Sequence, residues 1–286
     1  MPTVGRFAPS PTGPLHLGSL RTALVAWLFA RSAGGRFLLR VEDLDPQRSR
    51  PEFEAQQLRQ LEQLGIDWDG REVRQSARGA LYQEAIGRLA DLSYPCFCTR
   101  AEIRDAASAP HGALPEGAYP GTCRGLSAAE RAQRLDAGER HALRFAAAGE
   151  VVAFVDQLAG PQSFAVDDFV LRRADGVVGY QLAVVVDDAE QGVNQVVRGA
   201  DLLDSVARQI LLQRALGLAT PAYAHVPLVL GPDGERLAKR YGTAPTDEPL
   251  RWLASSLGIE AGSATRAADL LGNFDPASIP LTPVKV

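Results

Sequence analysis

Two short stretches hold residue types whose spacing suits phosphate chemistry. The first, GRFAPSPTGPLHLGSL, sets one imidazole, His16, behind Pro11, Gly13 and Pro14 and just ahead of Gly18 and Ser19. A tight loop there would lead into a helix, whose first N–H groups and dipole favour an anion such as phosphate. A histidine at that point can donate hydrogen bonds to phosphate oxygens on which charge develops. Gly18 and Ser19 are small enough to let a nucleotide approach the backbone. A loop histidine satisfied by a carbonyl would look the same in isolation. The second stretch, GERLAKR, crowds Arg236, Lys239 and Arg240 into five residues after a Pro-Asp-Gly turn. Of the 30 basic residues only Lys239 and Lys285 are lysines, so an internal lysine here suggests a need for a compact, mobile ammonium. Held against a triphosphate, such cations would offset its charge as pyrophosphate leaves.

Both stretches need elements that bring them together. Thr3 to Ala8 reads as a strand stopped by the proline cluster. Leu20, Ala23, Leu24, Trp27 and Leu28 recur at helical spacing from about Gly18. Phe37, Leu39 and Val41 alternate as a second strand that ends on Glu42-Asp43-Leu44-Asp45. Strand, helix, strand is the unit of a parallel sheet. Helical patterns follow over residues 50–64, 79–92 and 202–216, with strand-like runs at 142–145 and 151–156 and a strand near 226–230. The stretch between Cys96 and Cys123 is rich in Gly and Pro and reads as an irregular loop. The expectation is an α/β, Rossmann-like domain in two halves, residues 1–94 and 181–242, interrupted by an insertion over residues 95–180. Residues 243–286 are expected to form short helices and a loose proline-containing end.

Composition sets the outer limits. A chain of 286 residues with 46% hydrophobic and 22% charged residues suits a globular protein with a substantial core. A net charge of −4 argues against a surface coated in basic residues for nonspecific nucleic-acid binding, although a local basic groove is compatible with it. The N-terminus has no apolar core behind a basic start, and no apolar run approaches a membrane span. Three cysteines give no disulfide framework, so a cytoplasmic location and no membrane partner are the default, with a monomer favoured.

Taken together, PSPTGPLHLGS and RLAKR resemble the HIGH and KMSKS signatures of class I aminoacyl-tRNA synthetases. The form RFAPSPTGPLHLGSLRTAL, with VEDLD after it and VVVDDAEQGVNQVVRGADLL in the centre, is similar to the glutamyl branch. Neither a P-loop nor any G-x-G is present to support a rival nucleotide-binding reading. The resemblance implies an L-glutamate pocket lined by Arg6, Phe7, Ala8, Pro9, Ser10, Glu42, Tyr180 and Arg198. It also implies an ATP site with His16, Gly18, Ser19 and Lys239, in which His16 and Lys239 stabilise phosphate charge. The chemistry suits such a substrate. Arginines can pair its carboxylates, Glu42 its ammonium, and Tyr180 offers a hydroxyl. Mg²⁺ is implied with ATP, and the sequence offers no cage of carboxylates for it beyond Asp187 and Asp188.

Cys96, Cys98 and Cys123 supply three soft ligands where structural zinc usually takes four. His111 and Tyr119 lie between them, and generic ligand chemistry favours His111. The spacing from Tyr119 to Cys123, however, resembles the Y-x-x-x-C that closes a C-x-C zinc site in one glutamyl-like subfamily. Only residues 241–286 follow Arg240, too few for a helical anticodon-reading region. That brevity, the cysteine pattern and Ser19 in place of the last histidine of HIGH all resemble the glutamyl-Q tRNA(Asp) synthetases. Membership implies activation of glutamate by ATP and its transfer to queuosine in the anticodon of tRNA(Asp), with one Zn²⁺ in the insertion. Arg236 and Ala238 depart from KMSKS, which bears on affinity for ATP. Three alternatives stay open on the sequence: a compact synthetase charging the 3′ end of tRNA(Glu), a small nucleotidyltransferase, and a non-catalytic synthetase-like tRNA-binding protein.

Overall fold

The computed structural model describes residues 1–107, 119–237 and 248–286. The chain begins with β1 (Val4–Phe7), α1 (Leu17–Ser32) and β2 (Arg36–Val41), and β1 and β2 pair in parallel with Arg6 opposite Leu38. α1 is buried on nearly every side, and its small residues allow close approach to the sheet. A Cβ on Gly5 would stand 3.2 Å from that of Ala30, so the glycine sets how tightly α1 lies on β1. α2 (Pro51–Gln63) starts with proline in its first turn, and the short β3 (Val73–Arg74) extends the sheet beside β2. α3 (Gly79–Arg88) follows, and a single 3₁₀ turn at Ala90–Leu92 completes the helical stretch expected to Leu92.

Next come β4 (Ser93–Cys96), α4 (Arg100–Ala107), α5 (Ala128–Asp136) and β5 (Ala142–Phe145). β6 (Val151–Asp156) and β7 (Gly160–Ala165) form a hairpin, and β8 (Phe169–Arg172) leads to α6 (Tyr180–Glu190). β9 (Gln195–Gly199), α7 (Ser205–Leu216) and β10 (Ala222–Val226) restore the α/β alternation. β4, β5 and β8 make a separate antiparallel sheet, whereas β6 and β7 join a second sheet in the order β7-β6-β10-β9. Thus the stretch 95–180 contributes to two sheets. β1 and β9 meet along a seam, where the Asn194 N–H donates to the Val4 carbonyl at 3.1 Å. Ligand clefts of open α/β sheets form where strand order reverses, outside the carboxyl ends of the strands.

The strand expected near 226–230 is broken in two, β10 ending at Val226 and β11 covering Val229–Leu230. Pro227 has no N–H to give a ladder, and the buried Arg21 Nη1 takes its carbonyl at 2.8 Å. Arg21 also donates to Ser256 Oγ and O, both at 3.1 Å, which ties α1 to the turn after α8 (Pro249–Ser255). The end of the chain is more ordered than expected. β12 (Val284–Lys285) pairs in parallel with β11, and the Val284 and Val286 N–H groups donate to the Leu228 and Leu230 carbonyls. Those bonds satisfy an edge that would otherwise be open. Among the described residues, no helix is long and apolar enough to cross a membrane.

Candidate active site

A cleft of about 420 Å³ opens at the seam between β1 and β9. Its lining includes every residue expected to hold glutamate and three of the four expected to hold ATP. Lys239, the fourth, lies outside the described residues, as do Ala238, Arg240 and His111.

The loop between β1 and α1 is held from below by α2. Buried Gln57 donates through Nε2 to the Ser10 and Gly13 carbonyls at 3.0 and 2.7 Å. Gln60 exchanges two bonds with the backbone of Leu15, at 2.9 and 3.0 Å. Phe7, Ala8, Pro9 and Ser10 are thereby fixed as one wall, and the Glu42 N–H donates to the Pro9 carbonyl at 3.0 Å. His16 caps α1, with Nδ1 accepting from the Ser19 N–H at 3.3 Å and Nε2 standing 3.2 Å from Ser19 Oγ. An unprotonated Nδ1 places the proton on Nε2, where it can be donated. The imidazole lies directly over Gly18, since a Cβ there would come within 3.1 Å of its ring.

Charged side chains crowd the strand ends. Arg6 is buried, its Nε donating to Asp188 Oδ1 at 3.2 Å and its Nη1 to the Val197 carbonyl at 3.3 Å across the seam. The fully buried Arg40 donates to the same Asp188 oxygen at 2.8 Å and stands 3.8 Å from Glu42. Burial alone would raise the Asp188 carboxyl, but these two guanidiniums outweigh it and hold it below the usual range. Glu42 goes the other way. Burial pushes its carboxyl up to about 7, more than Arg40 and Arg6 pull it down. Its carboxylate is buried and short of positive charge.

Arg198 leaves β9 buried, with Nη2 donating to the Leu202 carbonyl at 3.2 Å and Nε to His225 Nε2 at 3.0 Å. Among the described residues, its buried Nη1 has no hydrogen-bond partner. An unsatisfied guanidinium N–H on a cleft wall is costly unless an anion completes it. Tyr180, at the first turn of α6, is 36% exposed along the same cleft. Arg236 pairs with Asp201 at 2.5 Å, and both line the cleft.

Asp187 and Asp188 do not form a free carboxylate pair. Asp187 accepts from Gln75, Arg78 and Tyr82 at 2.7, 2.6 and 2.9 Å, while Asp188 is shared by Arg6 and Arg40. Sequence reasoning missed Arg40 and Arg78 as partners of these acids, and it missed Gln57, Gln60 and Asp156.

A second cluster lies on the antiparallel sheet. The sulfurs of Cys96, Cys98 and Cys123 lie within 4.8 Å of one another, and Tyr119 Oη is 3.3 Å from Cys96 Sγ and 3.8 Å from Cys98 Sγ. Tetrahedral zinc, at about 2.3 Å from sulfur and 2.0 Å from oxygen, sets its donors roughly 3.5–3.8 Å apart, so these four atoms fit. The Arg144 guanidinium lies 3.8 Å from the centre of the Tyr119 ring. Burial pushes the Cys98 thiol up to about 12 and the Tyr119 phenol far up as well. A bound dication would reverse that preference.

Comparison with known proteins agrees with this architecture. The model of the class I tRNA synthetase (E and Q) catalytic domain matches residues 3–250. A glutamyl-Q tRNA(Asp) synthetase of Nocardia farcinica is 54% identical over 99% of this chain and 93% of its own. One from Symbiobacterium thermophilum is 52% identical over 99% and 95%. The crystal structure of a glutamate tRNA ligase from Elizabethkingia meningosepticum, in complex with its amino acid, superposes with a TM-score of 0.85 at 28% identity, covering all of this chain and 67% of that one. Such identity along nearly the whole length, on a shared class I fold, places the chain in the glutamyl-Q tRNA(Asp) synthetase family.

Proposed function

We propose that the protein activates L-glutamate with ATP and transfers the glutamyl group to queuosine in the anticodon of tRNA(Asp). The observation that carries this reading is the convergence, in one cleft, of a glutamate-like charge pattern with a helix-capping histidine turn. Arg6 and Arg198 supply cations for the two carboxylates, Glu42 the anion for the ammonium, and Tyr180 a hydroxyl. Phe7, Ala8, Pro9 and Ser10 shape the wall. His16, Gly18, Ser19 and Lys239 take the ATP phosphates.

In the first step an oxygen of the glutamate α-carboxylate attacks the α-phosphorus of ATP, and the bond to the bridging oxygen of pyrophosphate breaks. Glutamyl-adenylate and pyrophosphate result. In the second step a hydroxyl of the queuosine cyclopentenediol attacks the activated carbonyl, AMP leaves with the bonding pair, and the hydroxyl proton passes to solvent or to AMP. No covalent enzyme intermediate is needed, so positioning and charge stabilisation carry the rate. The Nε2 proton of His16, oriented by Ser19, is placed to meet developing phosphate charge. Lys239 would share that task. ATP enters as its Mg²⁺ complex. Asp187 and Asp188 are tied up by protein donors, so Mg²⁺ would be held through the ATP phosphates and supply charge neutralisation there.

Cys96, Cys98, Tyr119 and Cys123 would hold one structural Zn²⁺, locking the 119–123 turn to β4. Residues 1–94 and 181–242 act as the catalytic domain and 95–180 as the zinc-bearing insertion, whose β6 and β7 join the sheet of β9 and β10, while 243–286 form a short helical segment ending in β12, in a cytoplasmic protein. The test is to incubate the protein with ATP and labelled glutamate, with tRNA(Asp) carrying or lacking queuosine and with tRNA(Glu). Label on queuosine-containing tRNA(Asp) alone is expected. Label on tRNA(Glu) would overturn the reading, as would the absence of glutamate-dependent pyrophosphate exchange.

A further inference from the structure

Behind Arg198, two buried side chains extend a line that the two-step chemistry does not use directly. β9 and β10 run parallel with Arg198 and His225 opposite each other, so their side chains share one face. Arg198 Nε donates to His225 Nε2 at 3.0 Å. On the far side of the ring, His225 Nδ1 stands 2.6 Å from Asp156 Oδ2 on the neighbouring β6. Asp156 is fixed in turn, its Oδ1 accepting from the N–H groups of His225, Leu158 and Ala159 at 3.1, 3.0 and 2.8 Å.

Hydrogen-bond inventory settles which ring nitrogen carries the proton. A guanidinium Nε only donates, so His225 Nε2 has to accept and be unprotonated. The proton is therefore on Nδ1, donated to the Asp156 carboxylate. The side chains of His225 and Asp156 have no exposed surface, so no water competes for these bonds. Nε is held by His225 and Nη2 by the Leu202 carbonyl, and these two points fix the plane of the guanidinium. Among the described residues, the remaining buried Nη1 has no hydrogen-bond partner, on the residue that lines the cleft.

We propose that His225 and Asp156 are positioning residues for substrate selection: Asp156 fixes the His225 tautomer, and the tautomer fixes Arg198 for a carboxylate of the amino acid. This rests on the reading of the cleft as a glutamate site. An amide in place of that carboxylate would present N–H groups as well as a carbonyl to a donor that cannot turn away. Selection of glutamate over glutamine thus depends on a proton two residues removed from the substrate.

The decisive variant is Asp156→Asn. Its carbonyl can serve the three backbone donors, which leaves the amide N–H facing His225 Nδ1. The proton moves to Nε2, where it opposes the Arg198 N–H. Pyrophosphate exchange should then show a KM for glutamate raised about tenfold and the preference for glutamate over glutamine lowered about tenfold, with KM for ATP unchanged. Because a buried aspartate can matter for folding, a second pair is measured alongside. His225→Gln keeps one acceptor and one donor and should retain selectivity, whereas His225→Leu should lose it. Nitrogen-15 NMR of the wild type, assigned against His225→Gln, should show Nδ1 protonated and Nε2 bare. Unchanged glutamate selectivity in folded His225→Leu would overturn the proposal, as would parallel increases in the ATP and glutamate KM values. A protonated Nε2 in the wild type would overturn it even if the protein showed no glutamate-dependent exchange, an outcome that separately defeats the functional reading.

Discussion

Replacing Glu42 by glutamine should make the protein more stable and disable it. The folded protein holds the Glu42 carboxyl at about 7, against 4.5 for an unperturbed glutamate, chiefly through burial. The attraction of Arg40 and Arg6 is already contained in that value. Keeping the group ionised in the folded state therefore costs about 3 kcal/mol once the pH is above 7. The sign follows from proton binding. Between pH 4.5 and 7 the folded state holds the proton more tightly than the unfolded one, so stability declines across that window as pH rises and is level above it. Glutamine has nearly the same shape and no charge, so E42Q escapes the penalty. At pH 8 its midpoint of thermal unfolding should exceed that of the wild type by about 5 °C, given the unfolding entropy of a chain this size. At pH 5, where wild-type Glu42 is largely protonated, the difference should be small. The same carboxylate is the proposed partner of the substrate ammonium. Saturating glutamate should raise the wild-type midpoint at pH 8 and leave that of E42Q in place, and glutamate-dependent exchange should fall by about a hundredfold or more. A lower midpoint for E42Q at pH 8, or a stability difference that does not change with pH, would refute this account of the site.

Gly18→Ala inserts a Cβ 3.1 Å from the His16 ring. Helix propensity should leave stability level or slightly higher, while the displaced imidazole lowers pyrophosphate exchange by up to about a hundredfold, read by melting and kinetics on the same sample. Elemental analysis should find one zinc per chain, and Tyr119→Phe should weaken its retention against a chelator, with Cys123→Ser weakening it further. Among the described residues Arg21 has no carboxylate partner, and burial lowers its guanidinium to about 10. Arg21→Met leaves the Pro227 and Ser256 carbonyls without those bonds and should cost about 2–4 kcal/mol in chemical denaturation.

What the sequence disclosed was local. A proline cluster ends β1, apolar spacing starts α1 at its true position, and alternation marks β2 up to Glu42, so the residues at these element ends were placed correctly from neighbours alone. The cysteine spacing likewise located a cluster that the fold assembles with Tyr119. What it hid was long-range. Arg6 meets Asp188 across 182 positions and Arg21 meets Ser256 across 235, and such bonds leave no periodic trace. Asp187 and Asp188 stood as weak candidates for Mg²⁺ because a pair of acids says nothing about the arginines that fold onto them. His225 carried a faint signal, as the one imidazole in the short strand AYAHV, but its partner on β6 emerges only once the hairpin joins the sheet.

The parallel pairing of β11 with β12 has a consequence in polymer terms. It ties Val229 beside Val284, so residues 231–283 become a closed loop with a common base, and the RLAKR sequence lies within it. The entropy of closing such a loop depends only logarithmically on its length. Lengthening the loop by an insertion would therefore weaken the base only slightly. A single cut in the loop would leave both of its ends still anchored beside the cleft.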